Sequence, residues 1–204
     1  MKTIINYNQD ILYRKEDLFK CPVILVVNKF TEEAAKEFRV AMSKAHSTSQ
    51  PVIPIMIDSF GGQVYSLLSM LDTIEAAEKP VVTIATGKAM SCGSVLLAAG
   101  TLGYRYAEPN STIMVHEVAS DSRGKIEELK ASVKETERLN KLIFTKLIRY
   151  CNLKDKNFFS KEITKRKNAN WYLTPQAAKK IGLVDKVGFP SLSIDVKLEM
   201  ELVG

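Results

Sequence analysis

"KAMSCGSVLLAAG", residues 88–100, places two serines, a cysteine and a glycine at the head of an apolar run. The run is short and nearly free of charge, so it reads as a buried helix over 91–100. Just before it, "KPVVTIAT" (79–86) reads as a strand. Small residues at the start of a helix have a plain use, which is close packing. They also have a chemical use. A helix start carries unpaired N–H groups and the positive end of a dipole, and a hydroxyl held there lies beside ready-made donors.

Working outward, the rhythm is regular. "CPVILVVNKF" (21–30) predicts a strand, and "TEEAAKEFRVAMSKA" a helix that Thr31 can cap, with Ala34, Ala35, Phe38 and Ala41/Met42 on its apolar face. "PVIPIMID" (51–58) is a strand, "SFGG" (59–62) a turn and "QVYSLLSMLDTIEAA" (63–77) a helix. Two more strands, "GYRYAE" and "STIMVHEV", join at Pro109-Asn110. Residues 122–150 predict one long helix with Ile126, Leu129, Val133, Ile143 and Leu147 along its inner stripe. Strands alternating with helices predict an α/β fold with parallel strands and right-handed crossovers. The stripe on the long helix exceeds what one small domain covers, so the helix should project and pack on its equivalent in a facing subunit. "SLSIDVKLEMELV" (191–203) alternates without a break and predicts an added strand, paired with "TIINYN" near the N-terminus or with another subunit.

At 204 residues the chain suits a single domain over 1–204, with 46% apolar and 25% charged residues. The N-terminus lacks an apolar leader, and no run is long enough to span a bilayer. Cys21, Cys92 and Cys151 have no metal-binding or redox spacing, which points to a reducing, cytoplasmic compartment. The two histidines, His46 and His116, form no ligand pair, so neither a metal nor another cofactor is expected. The net charge of +6 is uneven: residues 146–180 hold ten Lys or Arg against Asp155 and Glu162. Basic charge alone, without a recognised motif, reads as a solvated face rather than a nucleic-acid site.

An activated serine needs a base, a group that orients the base, and donors for an oxyanion. Ser91 lies at the helix start, with the Cys92 N–H beside it. "SFGG" follows a strand end and can turn the Gly62 N–H toward the same crevice. His116 closes the strand "TIMVH". Each has a plainer reading alone: Ser91 as a helix cap, His116 as a hydrogen-bonded structural residue, Gly61-Gly62 as a turn, Cys92 as a small buried hydrophobe, Ser94 as packing. Their order is what adds weight.

"IDSFGG", "GKAMSCGSVLLAAGTLGYRYAEPNSTIMVHE" and "NWYLTPQAAKKIGLVDKV" together resemble the ClpP family, the proteolytic subunits of ATP-dependent Clp proteases. The likeness spans about residues 22–188 and leaves 189–204 as an extension. The resemblance implies a ClpP/crotonase-like fold with the long helix as its handle. It implies Ser91 as nucleophile and His116 as general base, with the amides of Gly62 and Cys92 as oxyanion hole. The implied partners are a polypeptide substrate, a heptameric ring stacked in pairs, and a hexameric ATP-dependent unfoldase.

The departures are specific. The family's third triad residue is an aspartate, and Asn170 stands at that position. Asn can accept the imidazole proton but cannot balance an imidazolium with a full charge; where the wrong tautomer results, such a change costs about 10⁴ in rate. Asp58 is a candidate substitute acid, and Asp185 belongs to the "GLVD" turn. Phe60 replaces a proline, and Glu117-Val118 replaces Gln-Pro after the histidine. These mark a divergent member of a type expected in a phage or mobile element. The expectation is a ClpP-like serine endopeptidase weakened by Asn170. The alternative is a silent structural or regulatory subunit. A crotonase-type acyl-CoA enzyme would need paired carboxylates near the glycines, and no convincing pair is present.

Overall fold

The computed structural model describes residues 22–191. The expected strands at 191–203 and "TIINYN", and Cys21, lie outside the described residues. Within them, seven strands and six helices alternate: β1 (Leu25–Val27), α1 (Glu32–Ser47), β2 (Ile53–Ser59), α2 (Val64–Glu75), β3 (Val81–Met90), α3 (Cys92–Ala98), β4 (Arg105–Ala107), β5 (Thr112–Val115), α4 (Ile126–Tyr150), α5 (Phe158–Lys165), β6 (Trp171–Leu173), α6 (Pro175–Lys180) and β7 (Lys186–Val187). The sheet is parallel along β1-β2-β3-β4-β7, and β5 also pairs with β3 in parallel. Among the described strands only β6 runs antiparallel, against β5. This is the α/β architecture with parallel strands that the alternation predicts.

Three local features decide where the site falls. The first is the length of β3. The sequence suggests a strand ending at Thr86, yet β3 continues to Met90. Its first half pairs with β4 (Thr83–Ala85 with Arg105–Ala107) and its second half with β5 (Lys88–Met90 with Thr112–Met114). The change of partner coincides with a bulge against β2, where Ile57 faces Ala85 but Ser59 faces Ala89. Gly87 sits in the bulge at φ 89°, where a side chain would be strained. The Gly87-Lys88 pair masks this extension, because it breaks the apolar pattern while the backbone stays in the sheet.

The second is α3. All seven of its residues are buried, from Cys92 to Ala98, which explains why the segment carries no charge. It packs between the sheet and the helices α2 and α4, so its first residue is anchored by the core itself.

The third is α4, which begins at Ile126 rather than 122. Gly124 has φ 151°, and the Glu128 carboxylate reaches back to the Lys125 N–H at 2.9 Å, which closes the helix start there. At 25 residues the helix is about 37 Å long. The single inner stripe expected from the sequence divides in two. Leu139, Ile143, Phe144 and Leu147 are buried, while Ile126 and Val133 are 70% and 57% exposed. The N-terminal half therefore runs past the body of the protein. Elsewhere the expected elements hold, with Thr31 capping α1 by accepting from the Ala34 N–H at 3.2 Å. No helix among the described residues is long and apolar enough to cross a membrane.

Candidate active site

Ser91 is the residue on which β3 ends and α3 begins. Its backbone stands at φ 52°, ψ −120°, a region that a non-glycine residue occupies only under strain of about 1–3 kcal/mol. The turn is held on both sides. The Ser91 N–H donates to the Met114 carbonyl at 2.9 Å, continuing the β3–β5 ladder, and its carbonyl accepts from the Ser94 N–H at 3.0 Å and the Ser94 hydroxyl at 2.7 Å. Ser94, expected as packing, is thus also a brace. Ser91 stands at the helix-cap position but makes no side-chain cap bond. Its hydroxyl instead meets the His116 Nε2 at 2.7 Å. Strand, strained serine and helix follow one another in the order of a nucleophile elbow.

His116 is the residue after β5, half-buried. Burial lowers its imidazole below the ordinary value, and a hydrogen bond with the Asn170 side chain acts in the opposite direction. The sheet explains why Asn170 is in reach. In the antiparallel β5–β6 pair Val115 faces Trp171, so the next step of the register sets His116 opposite Asn170. Left-handed backbone at Lys167 (φ 55°) and Asn168 (φ 60°) turns the chain from α5 into this strand. Asn170 is exposed. An imidazole with lowered proton affinity and its Nε2 facing a hydroxyl is arranged to take a proton from that hydroxyl.

The Gly61-Gly62 turn closes the third side. A Cβ on Gly61 (φ 110°) would stand 2.7 Å from the Ser91 Cβ and 3.2 Å from its Oγ, so only glycine allows this approach. Gly62 bridges to Phe30, but the bond that closes the bridge runs from the Gln63 N–H to the Phe30 carbonyl at 2.9 Å and does not use the Gly62 amide. Cys92 lies between the turn and the serine, 3% exposed, its thiol donating to the Gly62 carbonyl at 3.2 Å. Burial pushes that thiol up to about 11.

A cavity of about 160 Å³ opens beside Ser91 and His116. Val64, Leu67, Val95, Val118, Ile143 and Leu147 supply its apolar wall. Glu117 and Val118 both line it, while Phe60 does not: it is 73% exposed, with the Lys88 ammonium over its ring at 4.5 Å. Asn140 of α4 ties the His116–Val118 segment down, accepting from the Val118 N–H at 3.2 Å.

The other candidate acids are elsewhere. Asp58, considered as a substitute for the missing aspartate, binds Lys88 at 2.6 Å and is not a partner of His116; the β2 alternation turns it to the exposed face, away from the core. Asp185 pairs with the buried Arg105. His46 is occupied by the Met42 carbonyl at 2.8 Å, far along α1. The roles of Cys92 Sγ and Asn140 escape a sequence reading, since neither type nor spacing distinguishes them from packing residues.

Among known proteins, the description "Clp protease" belongs to the family whose model matches residues 7–191. The ATP-dependent Clp protease proteolytic subunit of Deinococcus radiodurans is 35% identical over 135 residues, covering 66% of this chain and 64% of that protein. The subunit of the same name in Bacteroides fragilis is 33% identical over 135 residues, covering 66% and 63%. Proteolytic subunit 1 of Salinibacter ruber is 35% identical over 144 residues, covering 71% and 59%. The matched part thus spans about three fifths of the length of these relatives. With the elbow, the paired glycines and the parallel sheet in the same chain, the match over residues 7–191 places this protein in the Clp protease family.

Proposed function

We propose that the chain is a ClpP-like serine endopeptidase that cleaves unfolded polypeptides through an acyl-enzyme on Ser91. The observation that carries this reading is the 2.7 Å contact between the Ser91 hydroxyl and the His116 Nε2, made on a strained turn at the head of a buried helix. His116 takes the hydroxyl proton, Ser91 Oγ attacks the peptide carbonyl, and the Gly62 and Cys92 amides receive the oxyanion. His116 then returns the proton to the leaving amine, and water repeats the sequence on the ester. Asn170 holds the Nδ1 tautomer without charge, so the imidazolium forms at higher energy than beside a carboxylate. The apolar cavity favours an apolar side chain next to the scissile bond. Residues 1–204 act as one domain, in the cytoplasm, with no cofactor.

The exposed N-terminal half of α4 supports self-association, read here as a heptameric ring stacked in pairs through the handle helices. The words "ATP-dependent" in the relatives' names support a hexameric unfoldase as partner. A second reading, a silent structural subunit, draws on the neutral and exposed Asn170. Labelling with a fluorophosphonate followed by mass spectrometry separates the two. Modification of Ser91 that disappears in Ser91→Ala supports the peptidase; ring assembly without labelling supports the structural subunit.

A further inference from the structure

The Gly61-Gly62 turn has a mechanical difficulty. The peptide that would bind the oxyanion lies between two glycines, whose backbones rotate more freely than any others. No side chain can brace the second one, because a Cβ on Gly62 would fall 2.5 Å from the Phe30 carbonyl oxygen. The bracing must come from hydrogen bonds. On the upstream side the Gly61 N–H donates to the Ser59 hydroxyl at 3.1 Å. On the downstream side the Gln63 N–H donates to the Phe30 carbonyl at 2.9 Å. The Gly62 carbonyl belongs to the same peptide unit as that Gln63 N–H, and it accepts from Cys92 Sγ at 3.2 Å.

We propose that Cys92 is a positioning residue for the oxyanion hole: its thiol, by donating to the Gly62 carbonyl, fixes the Gly62–Gln63 peptide and with it the direction of the Gly62 N–H beside Ser91. This rests on the peptidase reading above. One residue then serves the site twice, its backbone N–H facing the oxyanion and its side chain holding the other donor in place. A thiol suits the position because it is apolar enough for a site 3% exposed and still carries a proton to donate. Burial keeps that proton in place across the physiological range, since the thiol is pushed up to about 11.

The test compares full-length wild type with Cys92→Ser, Cys92→Ala and Cys92→Val. Serine keeps a donor, alanine and valine do not, and valine keeps the bulk. Removing an oxyanion donor outright costs on the order of 10²–10³ in kcat, so loosening one should cost about tenfold. The expected result is a fall of about tenfold in kcat for Cys92→Ala and Cys92→Val with KM unchanged, and recovery to within a few-fold of wild type in Cys92→Ser. Hydrogen exchange of the segment 59–67 supplies a readout that needs no activity. Protection at Gln63 should drop in the alanine and valine variants and return in the serine variant. Wild-type rates and protection in Cys92→Val would overturn the proposal and leave the peptidase reading standing. A wild type that neither cleaves peptides nor labels at Ser91 would remove both.

Discussion

Two polar clusters sit on the strands that leave β3, and they are built in opposite ways. At the start of β4, Arg105 is 2% exposed and is met by the full charge of Asp185, at 2.9 Å from Nε and 2.5 Å from Nη2. The same carboxylate accepts from the Gly103 N–H at 2.7 Å and the Arg105 N–H at 3.0 Å, while Arg105 Nη1 reaches the Tyr150 carbonyl at 2.9 Å. After β5, His116 is half-buried, and the residue proposed to orient it is an exposed neutral amide, Asn170. The first cluster ties the end of α4 and the β7 turn to the sheet, and every donor has a charged or carbonyl acceptor. The second is open and under-charged. The chain keeps a full carboxylate where the fold needs one and an amide at the site proposed for proton transfer. Stability and catalytic strength are therefore separable here, and substitutions should affect one or the other.

The largest expected effect is at the open cluster. His116→Ala removes the proposed base and should lower the acylation rate of Ser91 by about 10²–10⁴, read from fluorophosphonate labelling, with the melting temperature little changed. A parallel loss of stability would erase the contrast.

Asp185→Ala should do the reverse. It leaves a buried guanidinium without its counter-charge, and breaking such a pair costs about 3–5 kcal/mol of folding stability, measurable by denaturant titration. Burial alone would raise the Asp185 carboxyl, but the hydrogen bonds and charge of Arg105 outweigh it and hold it below its ordinary value. A carboxylate lowered in the folded state contributes stability that is present above the unfolded value of about 4 and is lost as pH falls through the folded one. Wild type should thus lose stability in acid over that window, and Asp185→Asn should lack this part of the pH dependence.

A smaller effect sharpens the comparison from the catalytic side. The base must be neutral to act, and burial lowers the His116 imidazole. The acid limb of kcat/KM should accordingly lie below the range of an ordinary histidine. Asn170→Asp brings a negative charge to the ring and should move that limb to higher pH. An unmoved limb would mean that position 170 does not act on His116.

The two clusters were not equally legible in the sequence. Helix α3 could be read because an uncharged run of small and apolar residues has no place on a surface, and all seven of its residues are buried. The meeting of Ser91 with His116 could be anticipated from the resemblance of the chain's motifs to the Clp protease family. Three things could not. The continuation of β3 through Gly87-Lys88 depends on a bulge, and a bulge looks like a break in a strand pattern. The strain at Ser91 depends on being held between the β3–β5 ladder and the Ser94 brace, which is tertiary. The apolar stripe of α4 reads as continuous, but burial stops where the body of the protein ends, and periodicity carries no information about how far a neighbour extends. Asp58 shows the same limit, since its nearness to the glycine turn in sequence did not bring it to His116.

Peptide hydrolysis by wild type, Asn170→Asp and Ser91→Ala tests directly whether a serine–histidine pair works beside an uncharged third residue. Slow turnover by wild type that Ser91→Ala abolishes is expected, with a gain in Asn170→Asp of tenfold or more and about 10⁴ as the ceiling set by the tautomer effect. Hydrolysis that survives Ser91→Ala, or an Asn170→Asp variant no faster than wild type, would contradict this.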